Sequence, residues 1–509
     1  MKFVTMKALE MKGENAMVKE TEQAIVHVIG VPDQFNQYVD GAIDDTTLLE
    51  ALKSLKAQKF IKGHLGAISI VPVTFNDAQN KVVTVGIGNH NQREQRDYLK
   101  IWGALFQYLQ KERITHIQLH AQTFLAKTAD ANAIFQTMGL QLEQATYEFD
   151  NYSSDKKAPF ELTVEWSSQN DYGTYQDVVE AGRNIGQAIN YARTLGNMPP
   201  NILTPDYLAT TVTEHFAETS VEVSVKDDQT LQREGFGLIH AVGKGSVNPP
   251  RLITLKYEGN PEQSDDVIAL VGKGITYDSG GYSIKSKTGM PTMKFDMCGA
   301  ANVIGMIDAI ANLQLKVNVV AVIAAAENMI ADNAMKPDDV FTALSGETVE
   351  VPNTDAEGRL VLGDASFYAN QFAPKLIIDF ATLTGAAIVA LGEDKAAIFN
   401  KNVERDVLQS LLDTAYQVDE SVYELPITET ERRNIKASDV ADLTNHVNAH
   451  GKALFAAAFV THFSGQTPHL HVDIAGPATT TKASYKGPKG PTGYMIPTIV
   501  SWLMSQNNK

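Results

Sequence analysis

Two short segments of this 509-residue chain concentrate ionisable side chains. The first, VGKGITYDSGGYSIKSKTGMPTMKFDMCGAA from Val271, sets Lys273, Asp278, Lys285 and Asp296 among glycines that permit the tight backbone needed for several side chains to converge. The second, NTDAEGRL from Asn353, spaces Asp355, Glu357 and Arg359 two residues apart. If that stretch is extended, its period of two turns both carboxylates and the guanidinium to one side. Gathering four carboxylates in one cavity is prohibitive without countercharge, and divalent cations supply it. Oxygen-rich ligation suits Mg²⁺, Mn²⁺ or Zn²⁺, and the chain has neither an HExxH pattern nor paired cysteines. The pattern points to a two-metal, carboxylate-bridged centre. Taken singly, Asp355 and Glu357 also fit an acidic pair at a helix N-terminus ahead of Leu360, and Lys285 a surface lysine. A phosphate cradle fits less well, since no GxxxxGK[ST] and no GxGxxG opening a helix is present.

Both segments follow apolar runs, and those runs must be the elements that position them. Strands are expected through Val267 to Val271, Val317 to Ala324 and Leu376 to Phe380, with helices after Gly299 and Arg359. A helix ends at Gly196-Asn197 before Pro199-Pro200, after Ile185, Ala188, Ile189, Ala192 and Leu195 at helical spacing. Continuous apolar strands alternating with helices imply an α/β fold, its mainly parallel sheet covered on both faces, with ligands bound beyond the strands' carboxyl ends. The first third carries β-rich runs, AIVHVIG from Ala24, AISIVPVTF from Ala67, VVTVGIG from Val82 and HIQLH from His116, with a helix over Gln95 to Gln110. That alternation makes a smaller α/β domain. The polar stretch Trp166 to Gly173 reads as a linker, giving domains at 1–170 and 171–509.

Composition narrows the chemistry further. Forty-three basic residues against 60 acidic give a net charge of −17, which repels phosphate backbones and anionic lipids, so nucleic acid is a poor partner. Lys482, Lys486 and Lys489 form the one local basic cluster, read as a solvated loop. The single cysteine, Cys298, excludes an intrachain disulfide and reads as a small buried hydrophobe. The opening MKFVTMKALEMKGENAM lacks the apolar core of a secretory signal, and the apolar run at Val319 to Ala326 is too short to span a bilayer, so the expected location is the cytoplasm. Metal-dependent phosphoester hydrolysis also uses bridged carboxylates, but it predicts a basic substrate surface that this charge balance does not provide.

The strings around these residues resemble the leucine aminopeptidase family, also called cytosol or leucyl aminopeptidases, of which NTDAEGRL is the most specific pattern. The likeness continues in ARTLGNMPPNILTP from Ala192, AAAENM from Ala324, LSGETVEVPNTDAEGRLVLGDA from Leu344, ATLTGA from Ala381 and ASDVADLTN from Ala437, covering roughly residues 175 to 476. The resemblance implies a metallo-exopeptidase with two Mn²⁺ or Zn²⁺ ions per subunit, Asp278 and Glu357 bridging them, Lys273 and Asp296 completing one site and Asp355 the other. It implies that Lys285 polarises the scissile carbonyl and that Arg359 holds a bicarbonate relaying a proton to the leaving amine. It also places Met293, Asn353, Thr382, Leu383 and Gly385 along the substrate pocket, favours a leucine-like first residue on peptides with a free N-terminus, and suggests a homohexamer. Tyr277 stands where phenylalanine is usual in the family, Pro352 where leucine is common, and PTGYMIP from Pro491 replaces an ATGR-like turn; none removes a ligand. His469 and His471 read as structural. The alternative is a catalytically silent metal-binding or regulatory member of the same fold, which predicts a lost lysine, arginine or ligand; all seven positions are occupied.

Overall fold

The computed structural model of the chain describes residues 4–8, 25–38, 41–89, 91–127, 129–150, 152–156, 158–448 and 450–506. Of the opening segment read as lacking a leader, only residues 4–8 are among them, and Ala24, which begins the first β-rich run, lies outside. The chain forms two compact units, residues 1–187 with 483–488, and 188–482 with 489–509.

The first unit is built on six strands: β1 (Val4–Ala8), β2 (Val26–Pro32), β3 (Ile68–Phe75), β4 (Ala78–Gly88), β5 (His116–Leu119) and β6 (Leu162–Trp166). Their order is β1-β6-β5-β2-β4-β3, parallel throughout except for the β3–β4 hairpin. The helix Asp97–Lys111 buries Tyr98, Ile101, Trp102, Leu105, Phe106 and Leu109, the stripe that period-3.6 spacing produces. Trp102 stacks on Phe124 with centroids 4.4 Å apart, anchoring that stripe to the 3-10 turn Ala121–Phe124 that follows β5.

The stretch expected to be a linker is instead ordered secondary structure. β6 runs to Trp166 and a 29-residue helix, Gln169–Asn197, begins almost at once. Asn170, Thr174, Gln176 and Asp177 form the helix's exposed face, Asp171 is buried and accepts from Gln122 at 2.6 Å, and Tyr172, Tyr175, Val178 and Val179 pack into the first unit's core. The boundary expected near residue 170 falls at the start of this helix, whereas the compact units part within it.

The second unit contains β7 (Val221–Lys226), β8 (Arg251–Glu258), β9 (Val267–Asp278), β10 (Asn318–Asn328), β11 (Asp339–Thr342), β12 (Thr348–Val351), β13 (Leu376–Ala381), β14 (Lys395–Lys401), β15 (Ser421–Leu425), β16 (Leu443–Thr444) and β17 (His469–Asp473). Its eight-stranded sheet has the order β15-β14-β17-β13-β9-β10-β8-β7. The four central strands β17, β13, β9 and β10 are mutually parallel, and antiparallel strands flank them on both sides. β10 is buried along its whole length, as expected of a strand covered on both faces. The helices Cys298–Asn312 and Gly358–Ala369 pack against the central strands, burying nearly every residue they contain. Because the central strands are parallel, Asp278, Asn328, Ala381 and Asp473 all end at one edge of the sheet. Among the described residues no helix is long and apolar enough to cross a membrane.

One buried carboxylate ties this scaffold together. Asp364, fully buried on the helix Gly358–Ala369, accepts hydrogen bonds from the backbone N–H groups of Leu238 (2.9 Å), Ile239 (3.1 Å) and Leu344 (2.8 Å). Burial pushes its carboxyl up to about 7 despite these three donors. Replacing it by alanine strands three buried N–H groups, and we expect Asp364→Ala to cost on the order of 3 kcal/mol, measured as a lower urea midpoint for the second unit. An unchanged midpoint would show that water substitutes for the carboxylate.

Candidate metal centre

The charged groups singled out in the sequence arrive on several different supports. Lys273 lies within β9 and Asp278 ends it; Lys285 sits on the loop that follows; Asp296 closes the 3-10 turn Met293–Phe295. Asp355 lies in a turn, and Glu357 takes a right-handed helical conformation immediately before the helix Gly358–Ala369. The second segment is therefore not extended. Its two carboxylates converge through a turn and a helix start rather than through strand alternation. Glu357 occupies the N-cap position of that helix, so the pair does stand at a helix N-terminus, but its side chain makes no capping bond.

The cluster these supports create is dense. Lys273 Nζ lies 2.8 Å from Asp296 Oδ2, 3.1 Å from Glu357 Oε1, and donates to the carbonyl of Thr382 at 3.1 Å. Lys285 Nζ lies 2.8 Å from Asp278 Oδ2 and 2.6 Å from Asp355 Oδ1. One oxygen from each of Asp278, Asp355 and Glu357 falls within 4.8 Å of the other two. Gly280, with φ +86°, turns the loop so closely past the site that a Cβ there would stand 2.8 Å from Asp355 Oδ1.

Burial opposes the charge on Lys273, but Asp296, Glu357 and Asp278 outweigh it and hold its pKa above the ordinary lysine value. The same opposition, with Asp278 foremost among the carboxylates, raises Lys285. Burial, reinforced by Glu357, lifts Asp278 to about 6, and burial likewise raises Asp296 well above the usual carboxylate range. Asp355 is also raised, chiefly by burial. Glu357 alone is lowered, because Lys273 and Lys285 overcome its burial. Four carboxylates face two ammonium groups, and Glu357 Oε2 is buried with no hydrogen-bond donor among the described residues. This oxygen-rich set with one buried amine fits divalent cations.

The remaining residues surround the cluster. Arg359 is 6% exposed, donates through Nη1 to the carbonyl of Asn445 at 2.9 Å and lies over the Phe455 ring, while its Nε has no partner among the described residues. Burial lowers its pKa to about 10. Thr382 Oγ1 donates to Asp296 Oδ1 at 2.8 Å, Leu383 N donates to Asp473 at 3.2 Å, and Asn353 Oδ1 accepts from the backbone of Asp355 at 2.9 Å. Met293 and Gly385 sit on the adjoining segments, three residues from Asp296 and Thr382 respectively. His469 and His471 stand apart from the cluster, both bonded to the buried Asp379 at 2.8 and 2.7 Å. Cys298 is buried, and that burial pushes its thiol up to about 12.

Several polar residues that the sequence left without a role hold the segments carrying the charged cluster. Asn445 Nδ2 donates to the carbonyls of Asn353 and Ala356, Thr354 Oγ1 donates to the carbonyl of Gly280, and Asn328 reaches Asp278. Asn328 and Asn445 lie in AAAENM and ASDVADLTN, strings already conspicuous in the sequence; nothing in their spacing shows which partner each would meet.

Compared with known proteins, residues 190–500 match the profile of the cytosol aminopeptidase family, catalytic domain, and residues 28–156 that of the family's N-terminal domain. The chain belongs to the cytosol aminopeptidase family. Family membership makes it a peptidase of a metal-dependent class, in keeping with the cluster described above. A probable cytosol aminopeptidase of Bacillus licheniformis is 39% identical over 426 residues, 83% of this chain and 85% of the relative. Another, of Bacillus subtilis, is 36% identical over 487 residues, 95% of this chain and 97% of the relative. Among solved structures, the bottromycin maturation enzyme BotP superposes with a TM-score of 0.81 at 29% identity, covering 96% of this chain and all of that one. The same enzyme in complex with Mn gives 0.82, over 95% of this chain.

Ions that bind only the folded cytosol aminopeptidase domain must stabilise it by mass action. Mn²⁺ at about 100 times its dissociation constant should add roughly 2.7 kcal/mol, read as a higher melting temperature that EDTA reverses. Glu357→Gln should remove most of that increment. Equal stabilisation of wild type and variant would place the ion elsewhere.

Proposed function

We propose that this chain is an aminopeptidase that removes leucine-like residues from the free N-termini of peptides, using two divalent ions, Mn²⁺ or Zn²⁺, held by Lys273, Asp278, Asp296, Asp355 and Glu357. The observation that carries this reading is the convergence of these five groups and Lys285 at the carboxyl edge of the central parallel strands, in a chain of the cytosol aminopeptidase family. When bound, such a pair lowers the pKa of water and polarises a carbonyl. Lys273 acts as a ligand only as the neutral amine, so its proton leaves as the cations enter.

Lys285 is the more exposed of the two lysines, at 17% of its side chain against 3%, and so is the one a substrate reaches. Its ammonium donates to the carbonyl oxygen as water adds to the carbonyl carbon and charge develops there. Arg359, whose Nε has no partner among the described residues, would hold a bicarbonate near Glu357 that could carry the proton lost by the attacking water to the departing nitrogen as the C–N bond breaks. The products are a free amino acid and a peptide one residue shorter. Thr382, held by Asp296, and Asn353, held against Asp355, border the place where the first residue would sit, with Met293, Leu383 and Gly385 alongside. The partly buried Leu383 side chain packs against the unit's core and offers an apolar wall suited to leucine. The enzyme acts in the cytoplasm as a homohexamer in this reading, and a net charge of −17 disfavours nucleic acid as a partner.

The test is hydrolysis of leucine p-nitroanilide and N-acetyl-leucine p-nitroanilide by metal-stripped protein reloaded with Mn²⁺ or Zn²⁺. Only the free-amine substrate should be cut, and Lys285→Ala should lower kcat by roughly 10²- to 10³-fold, the scale of one oxyanion donor. Absence of cleavage with metal shown to be bound would favour the catalytically silent member of the fold.

A further inference from the structure

We propose that Asn328 is a positioning residue for the metal centre, an inference that rests on the two-metal reading above. Asn328 is the last residue of β10 and is 1% exposed. The preceding residues of β10 run in parallel register with β9, and after a register shift between Ala326 and Glu327 Asn328 pairs directly with Asp278 at the end of β9. That shift re-aims the strand's end beside the site, as bulges do.

Its side chain joins the two ligand-bearing segments. Nδ2 donates to Asp278 Oδ1 at 2.9 Å and to the main-chain carbonyl of Thr354, the residue before Asp355, at 3.0 Å. Both partners are acceptors, so the amide nitrogen must face them and both its protons are used. The main-chain carbonyl of Asn328 in turn accepts from the N–H and the hydroxyl of Ser279, at 3.0 and 2.7 Å. Opposite, its Oδ1 lies 2.9 Å from where a Cβ on Gly281 would stand; Gly281 has φ +62°, so the loop passes the amide at a point only glycine allows.

The consequence is an oriented carboxylate. Asp278 Oδ1 receives Asn328 Nδ2 and the N–H of Gly280, also at 2.9 Å, which leaves Oδ2 directed at Lys285 and the cluster. Asn328 therefore sets the rotation of one ligand and, through Thr354, its distance from the segment that carries Asp355 and Glu357. No shorter side chain spans both acceptors, and a carboxylate could not donate to either. Partners of this kind that orient metal ligands typically govern affinity by about 10- to 100-fold.

The experiment compares Mn²⁺ binding by wild type, Asn328→Leu and Asn328→Ala, using isothermal titration calorimetry on metal-stripped full-length protein. The melting temperature of each metal-free protein is measured beside it. Leucine keeps the branched shape and removes the donor without changing charge; alanine is read the same way should leucine not fold. Positioning predicts an affinity loss of about 10- to 100-fold in a variant that still melts cooperatively. Asp364→Ala, a destabilised variant whose hydrogen bonds go to Leu238, Ile239 and Leu344 and to none of the clustered carboxylates, should keep wild-type affinity. Unchanged Mn²⁺ affinity in the Asn328 variants, with only a lower melting temperature, would reduce Asn328 to a structural residue and overturn the inference. A wild-type protein that binds no Mn²⁺ would overturn the two-metal reading itself.

Discussion

Four carboxylates held together, three of them buried out of water, are the constraint on which the rest of this structure depends. Isolated, any one of them would prefer to protonate or leave. Here Lys273 and Lys285 face them at 2.6 to 3.1 Å, and the pKa of Asp278 and Asp296 is still raised. Two ammonium groups therefore compensate the cluster only partly. That incomplete balance is the electrostatic signature of a site made for additional cations, and it requires a scaffold rigid enough to keep like charges together.

Parallel strands meet that requirement. Strands running the same way deliver their carboxyl ends to one edge, and helices on both faces bury them along their lengths. Lys273 is fixed by the strand β9 itself, whereas Asp278, Lys285, Asp296 and Asp355 sit where strands and turns give way to loops. Loops alone would be too loose. Asn328, Thr354 and Asn445 bind them to one another through side-chain hydrogen bonds, and Asp473 does the same for Leu383 and Thr384. Behind them Asp379 holds His469 and His471, three buried polar side chains on the neighbouring strands β13 and β17. Removing one partner from such a cluster leaves another uncompensated, so these groups also enforce one arrangement of the sheet.

The apolar runs, their alternation with helical spacing and the two acidic segments were legible in the sequence, because burial on both faces demands continuous hydrophobicity and a site demands groups that ionise. The chain's own pattern thus determined a parallel α/β catalytic unit and the set of charged residues. It misled at Trp166 to Gly173, where polar composition suggested a linker. Part of that polarity, as at Asn170 and Thr174, is the wet face of the helix Gln169–Asn197, while Asp171 is buried against Gln122 and Tyr172, Tyr175 and Val179 form the dry face.

Tertiary structure alone decided how those charged groups meet. Strand alternation was the reason offered for Asp355 and Glu357 facing one way, yet they converge through a turn and a helix start. Which lysine pairs with which carboxylate, which glutamate oxygen is left without a donor, and what Asn328 holds all depend on contacts between residues up to 84 positions apart, as from Lys273 to Glu357. Residue type and local spacing encode what a segment can become. Such long-range geometry is set by the packing of the whole sheet, and no local spacing carries it.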